Sequence, residues 1–125
     1  MNFQPKKPMM ILALNLKNKE IETDALLDAG LVFKDLTGSY KGVQERSYLV
    51  LTHTDTAFNA ALKLAQKTEQ ESVLILDEDR NAKLMYLNDM HQIEIGKLTP
   101  VSQDEALKQD AWTFSHDLNQ YYICK

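Results

Sequence analysis

A single cysteine, Cys124, stands among the 125 residues, so no disulfide can close within the chain and a cysteine-based metal site lacks ligands. A lone thiol suits a reducing compartment, and the cytoplasm is the expected one. Positive charge is also short: 14 Lys and Arg against 18 Asp and Glu leave a net charge of -4. Nucleic-acid binding rests on clustered basic side chains that neutralise phosphates. Here the basic residues are spread out, and the densest pair, Lys6 and Lys7, lies in a proline-bracketed segment without interleaved aromatics, so no nucleic-acid partner is expected. Long apolar runs are missing as well. The run at residues 9–16 is cut by Asn15, Lys17, Asn18 and Lys19 and is followed by no small-residue cleavage site. Nothing approaches the roughly 20 apolar residues of a membrane span, so no membrane association is expected.

What is present is an ordinary globular composition, with 44% hydrophobic and 26% charged residues. A chain of this length buries about two-thirds of its unfolded surface in one core. One domain over residues 1–125 is therefore expected, with no linker or repeat.

The apolar run at 9–16 predicts a strand covered on both faces. Asn18 then caps a helix, with Glu20 and Glu22 in its first turn at the positive end of the dipole and Gly30 in the left-handed position that ends it. Residues 31–40 predict a second strand, interrupted at Thr37-Gly38-Ser39, and residues 46–52 a third, with 41–45 turning between them. Oxygens at Thr54, Asp55 and Thr56 cap a second helix whose apolar face is Phe58, Ala61, Leu62 and Ala65. Residues 72–76 and 83–87 predict a hairpin across the polar turn 77–81. This β-α-β-β-α-β order is that of the ferredoxin-like fold, an α+β class in which two helices cover one face of an antiparallel sheet. Beyond it, alternation at Ile93 and Ile95, a short helix at 103–108 and a closing hairpin of 112–114 with 121–124 form a C-terminal β extension.

Few residues carry a recognisable chemistry. His53, His91 and His116 fall in no ligand spacing and read as surface or capping histidines. Ser39 and Ser47 have no nucleophile-elbow glycines and no paired His and Asp, which rejects a serine hydrolase. Gly38 and Gly42 make no phosphate loop, because no Gly-Lys-Ser/Thr follows. The stretch at 35–48 stands out, gathering hydroxyls, a phenol, a carboxylate and two glycines at a strand junction where backbone can approach a ligand. Composition alone reads it equally as a polar hairpin loop.

Within that stretch, Asp35-Leu-Thr-Gly-Ser-Tyr40 resembles the signature of the bacteriophage S-adenosylmethionine hydrolases, better described as lyases. The helix Ala57-Phe-Asn-Ala-Ala-Leu-Lys-Leu-Ala65 and the following Glu69-Gln-Glu-Ser-Val-Leu-Ile75 resemble the family's next helix and strand. The likeness runs from about residue 31 to residue 86, with a fainter echo near Trp112. Residues 40–45 form a shorter segment than in the phage enzyme. The resemblance implies that Glu45 matches the family's essential glutamate and Tyr40 the tyrosine ending the signature, with Leu36, Thr37, Gly38 and Ser39 contacting substrate. It also implies a PII-like fold, a homotrimer with sites between subunits, and a role in removing a host's methyl donor.

S-adenosylmethionine carries its own nucleophile, since its carboxylate can attack its γ-carbon and expel methylthioadenosine as homoserine lactone forms. Such a reaction needs orientation and exclusion of water, and neither metal nor other cofactor is expected. The older hydrolase reading makes Glu45 a general base giving homoserine. Two non-catalytic classes compete, a trimeric PII-like module that holds an adenine nucleotide, and an acidic protein that blocks a host factor. Asp77 and Glu78, after the fourth predicted strand, are within conceivable reach of a ribose.

Overall fold

The computed structural model describes residues 8–125. Lys6 and Lys7 fall outside the described residues. The elements, in chain order, are β1 (Met9–Leu12), α1 (Lys19–Asp28), β2 (Phe33–Tyr40), β3 (Val43–Leu51), α2 (Asp55–Lys67), β4 (Ser72–Leu76), β5 (Asn81–Tyr86), β6 (Gln92–Val101), α3 (Gln103–Leu107), β7 (Ala111–Ser115) and β8 (Gln120–Cys124).

Local chemistry accounts for where these begin and end. Asn18 Oδ1 accepts the Ile21 N–H at 2.9 Å, and Thr54 Oγ1 accepts that of Ala57 at 3.1 Å, so both longer helices start on a side-chain cap. Gly30, at φ 75°, takes the left-handed conformation just past α1. Strand β1 stops at Leu12, short of the predicted residue 16, and Asn15 beyond it takes a positive φ of 51°. Between β2 and β3 the turn is only Lys41-Gly42, both at positive φ (51° and 84°), as a two-residue hairpin loop matched to strand twist requires. Strand β3 therefore starts three residues earlier than the sequence predicts, while β2 ends at Tyr40 as expected. Gly38 pairs with Glu45 and Ser39 with Gln44, and the predicted interruption at 37–39 is continuous strand.

All strand pairs are antiparallel, in the closed order β1-β3-β2-β7-β8-β6-β5-β4. This overturns the ferredoxin-like (PII-like) expectation. In that fold β4 and β2 would be free edges, with the C-terminal strands appended. Here β4 pairs with β5 and β2 with β7, while β6 and β8 join the two arms, so the last four strands are half of a barrel and no edge is left open. Nor do two helices cover one side of a flat sheet.

Strand alternation sorts the apolar residues into an inner and an outer set. Met9, Leu36, Leu49, Leu76, Ala82, Leu98 and Tyr122, drawn from seven strands, pack together inside the barrel. Met10, Leu12, Tyr48, Val50, Val73 and Met85 point outward, and α1 and α2 cover them through Leu26, Ala61, Leu64 and Ala65. On the opposite flank α3 lays Ala106 over Val101 and Ile123, beside Trp112 and Tyr121. Strand β6 serves both arms, pairing β5 up to Lys97 and β8 from Leu98. It bends at Gly96, where φ is 101° and a Cβ would lie 2.8 Å from the Lys125 main chain.

Candidate active site

The barrel interior is not filled throughout. A cavity of about 480 Å³ occupies one end, within the size range of small-molecule sites. Its mouth lies where β2 ends and β3, β4 and β7 begin, and Tyr40, Glu45, Ser72 and Ala111 stand there. Further in, the wall is mostly apolar, with Ile11, Leu74, Leu84, Ile95 and Leu98 among its residues.

The hairpin register decides which residues of 35–48 face this space. Leu36, Gly38 and Tyr40 alternate inward on β2, opposite Ser47, Glu45 and Val43 on β3. Leu36 is buried with the inner core and is absent from the cavity wall. Thr37 faces outward, and its Oγ1 shares a 2.8 Å hydrogen bond with His116 Nε2. Asp35 also faces outward, in a 2.6 Å ion pair with Lys19 of α1. Ser39 alternates with these inward positions and is nonetheless one of the residues lining the cavity. Of the six predicted site residues, the fold thus brings Gly38, Ser39, Tyr40 and Glu45 to one cavity and leaves Leu36 and Thr37 off it. Asp77 and Glu78 lie at the far end of the barrel. Asp77 Oδ1 there accepts the N–H groups of Asp79 and Asn81 at 2.9 and 2.8 Å, which hold its carboxyl below the ordinary range together with the Asn81 side chain, the largest influence.

Glu45 is the only charged residue lining the cavity among the described residues, and its carboxylate makes no hydrogen bond or ion pair among them. Tyr40, 61% exposed, sits on the rim with the Lys41 ammonium 5.2 Å from its ring centroid. A lone anion above an apolar chamber, with an aromatic face beside it, suits a ligand that joins a cationic end to a flat, neutral body. It does not suit a polyphosphate, which would call for Lys or Arg in the wall.

Two features of β3 escape the sequence reading. Ser47 is 5% exposed, lines the cavity, and its Oγ has no hydrogen-bond partner among the described residues. Its signal was there, because residues two apart on a strand share a face and Glu45 was already singled out. On the outer face, Arg46 and Tyr48 both reach Glu22 of α1, which is fully buried. Arg46 Nε donates to Oε1 at 2.8 Å, the Tyr48 hydroxyl donates to the same oxygen at 2.7 Å, and the Leu16 N–H donates to Oε2 at 2.9 Å. Burial pushes the Glu22 carboxyl up, but these donors outweigh it and hold it below the ordinary range. Burial, and then the neighbouring carboxylate, pushes the Tyr48 phenol well above its usual value. Glu22 therefore ties down the outer face of the segment whose inner face carries Glu45 and Ser47.

Among the described residues no group of three or more His, Cys, Asp and Glu is placed to hold a metal ion, and no helix is long and apolar enough to cross a membrane. The sequence matches the model of the S-adenosylmethionine lyase family over residues 12–125. No curated protein matches it.

Proposed function

The chain belongs to the S-adenosylmethionine lyase family and is a lyase acting on S-adenosylmethionine, and from that premise we propose that the cleavage takes place at the mouth of the barrel cavity, yielding methylthioadenosine and L-homoserine lactone. The observation that carries this placement is the single carboxylate of Glu45 on an otherwise uncharged wall. S-adenosylmethionine carries a sulfonium and an ammonium at one end and an uncharged nucleoside at the other, which is the polarity of the cavity.

The C–O bond of the lactone forms as the C–S bond breaks, and the electron pair leaves on sulfur as the neutral thioether. Carboxylate and sulfonium cancel in the transition state, so an apolar chamber that excludes water favours the step over the solvated ground state. The remaining demand is geometric: the methionyl chain must fold until carboxylate oxygen and γ-carbon are in near-attack contact. Glu45 meets it best by pairing with the ammonium. Were it to sit against the sulfonium, it would stabilise the charge that the reaction removes. Tyr40 offers its ring face to the sulfonium and its hydroxyl to the methionyl carboxylate. Gly38, opposite Glu45, leaves the space a side chain would take. Water activation by Glu45 would place a general base where the substrate already supplies a nucleophile.

We further infer a homotrimer, with the neighbouring subunit closing the open mouth. Support comes from the rim, where Val43 is 71% exposed beside Tyr40 and an apolar surface of this kind is commonly covered by a partner. Light scattering is expected to give about three chain masses; one chain mass would remove the assembly and leave the closure of the mouth to the substrate itself. The role implied for such an enzyme is to deplete the methyl donor of the cell in which it is made. The reaction itself is tested by incubating the purified protein with S-adenosylmethionine and a chelator. Methylthioadenosine is the expected product, and persistently intact substrate would overturn the proposal.

A further inference from the structure

Glu45 and Ser47 are successive inward-facing residues of β3, so Ser47 lies about 7 Å deeper than Glu45 along the strand. Its hydroxyl is buried in the cavity wall and has no hydrogen-bond partner among the described residues. A buried hydroxyl left unpaired is unfavourable for folding, and strand neighbours usually satisfy it. The residue opposite Ser47 is Leu36, and the next inward position is Gly38, neither of which has a side chain able to accept or donate. A Cβ at Gly38 would stand 3.4 Å from Ser47 Oγ, so the missing side chain leaves a notch beside the hydroxyl. An unpaired group next to a notch, in the wall of a cavity, is open to a hydrogen bond from whatever enters.

Resting on the function proposed above, we propose that Ser47 is the hydrogen-bonding contact for the nucleoside half of the substrate, so that the cavity reads its ligand by depth: the cationic methionyl end against Glu45 at the mouth, the nucleoside against Ser47 one step further in. The two residues then control different parts of the affinity. Methylthioadenosine has the nucleoside and no charge, and it depends on Ser47 alone. S-adenosylmethionine depends on both. Because the nucleoside contact is the same in ground state and transition state, its loss appears in KM more than in kcat.

The test is calorimetric titration of methylthioadenosine into the wild-type protein, Ser47→Ala and Glu45→Gln, with initial rates on S-adenosylmethionine and melting temperatures alongside. Ser47→Ala is expected to bind methylthioadenosine about tenfold more weakly and to raise KM by a similar factor, with kcat falling less. It is expected to melt no lower than wild type, since it removes an unpaired buried group. A hydroxyl with only a structural role would lower the melting point and leave the affinity alone. Glu45→Gln is expected to bind methylthioadenosine as wild type does. The assignment falls if Ser47→Ala and wild type bind the nucleoside equally, or if Glu45→Gln loses as much affinity as Ser47→Ala. Ser47→Cys, close in size, covers the case in which the alanine variant does not fold, and is held to the same weakening. Failure of the lyase reading looks different: wild type would then bind methylthioadenosine and leave S-adenosylmethionine intact.

Discussion

Replacing Glu45 by glutamine is expected to lower kcat/KM for S-adenosylmethionine by about a hundredfold to a thousandfold, while the melting temperature stays within a degree or two of wild type. The substitution keeps size and shape and removes only the charge. Glu45 is exposed at the start of a strand and its carboxylate holds nothing in place among the described residues, so the fold has little to lose. The substrate has much to lose. The ammonium's one full charge partner in the cavity disappears, and with it the anchor that folds the methionyl chain onto its own γ-carbon. Both kcat and KM are expected to suffer, because the anchor orients as well as binds. Initial-rate kinetics read the split directly. A Glu45→Gln protein with wild-type turnover would take Glu45 out of the reaction and leave the cavity without a means of holding a cation.

Glu22→Ala is expected to lower stability by about 3–5 kcal/mol, equivalent to a fall in melting temperature of about 10–20 °C. The wild-type carboxylate is fully buried and accepts from Arg46, Tyr48 and the Leu16 main chain. Alanine removes the acceptor of all three, leaving Arg46 only its 3.2 Å bond to the Leu16 carbonyl. Arg46, with its side chain 46% exposed, can recover water, but the Tyr48 hydroxyl, on a residue 1% exposed, cannot. The same contacts set a pH dependence. The folded protein keeps Glu22 ionised to lower pH than the unfolded chain does, so on acidification the unfolded chain binds the extra proton first. Stability from this group is complete above the ordinary carboxyl pKa and drains away as pH falls toward the depressed folded value. Thermal denaturation from pH 7 down to pH 3 is expected to show a steeper slope in wild type than in Glu22→Gln, whose remaining slope comes from other depressed carboxyls such as Asp77. Parallel curves would mean that Glu22 contributes no differential ionisation. Activity in the surviving folded fraction of the glutamine variant also reports how firmly Arg46 and Tyr48 fix the strand that carries Glu45.

Much of this architecture can be read from local pattern. The spacing of Phe58, Ala61, Leu62 and Ala65 marks α2, and Asn18 and Thr54 mark the helix starts, because caps and amphipathic faces are properties of neighbouring residues. Closure of the sheet is a different kind of property. Leu36 pairs with Ser115 and Met9 with Leu76, and no short-range pattern distinguishes such a sheet from an open one with a C-terminal extension. The polar residues 44–46 hid the start of β3 for a related reason: at a barrel rim both faces of a strand can be wet, so hydrophobic alternation fades. The signature 35–40 reads from sequence as strand broken at Thr37-Gly38-Ser39, because glycine and hydroxyl residues mimic a turn. As continuous strand it sends Gly38 and Tyr40 toward the cavity and Thr37 away toward His116. Glu22 was invisible as a buried charge, since a glutamate in the first turn of a helix looks like a surface partner for the dipole until the strand beneath it supplies Arg46 and Tyr48.

The chemistry is tested most directly by the co-product. Incubated with S-adenosylmethionine in water enriched in oxygen-18 and sampled by mass spectrometry, the protein is expected to release homoserine lactone first, carrying no heavy oxygen. Homoserine should follow only as the lactone opens. Homoserine present from the earliest time points, already labelled and with no lactone before it, would mean that water is the nucleophile and would contradict intramolecular cleavage in this barrel.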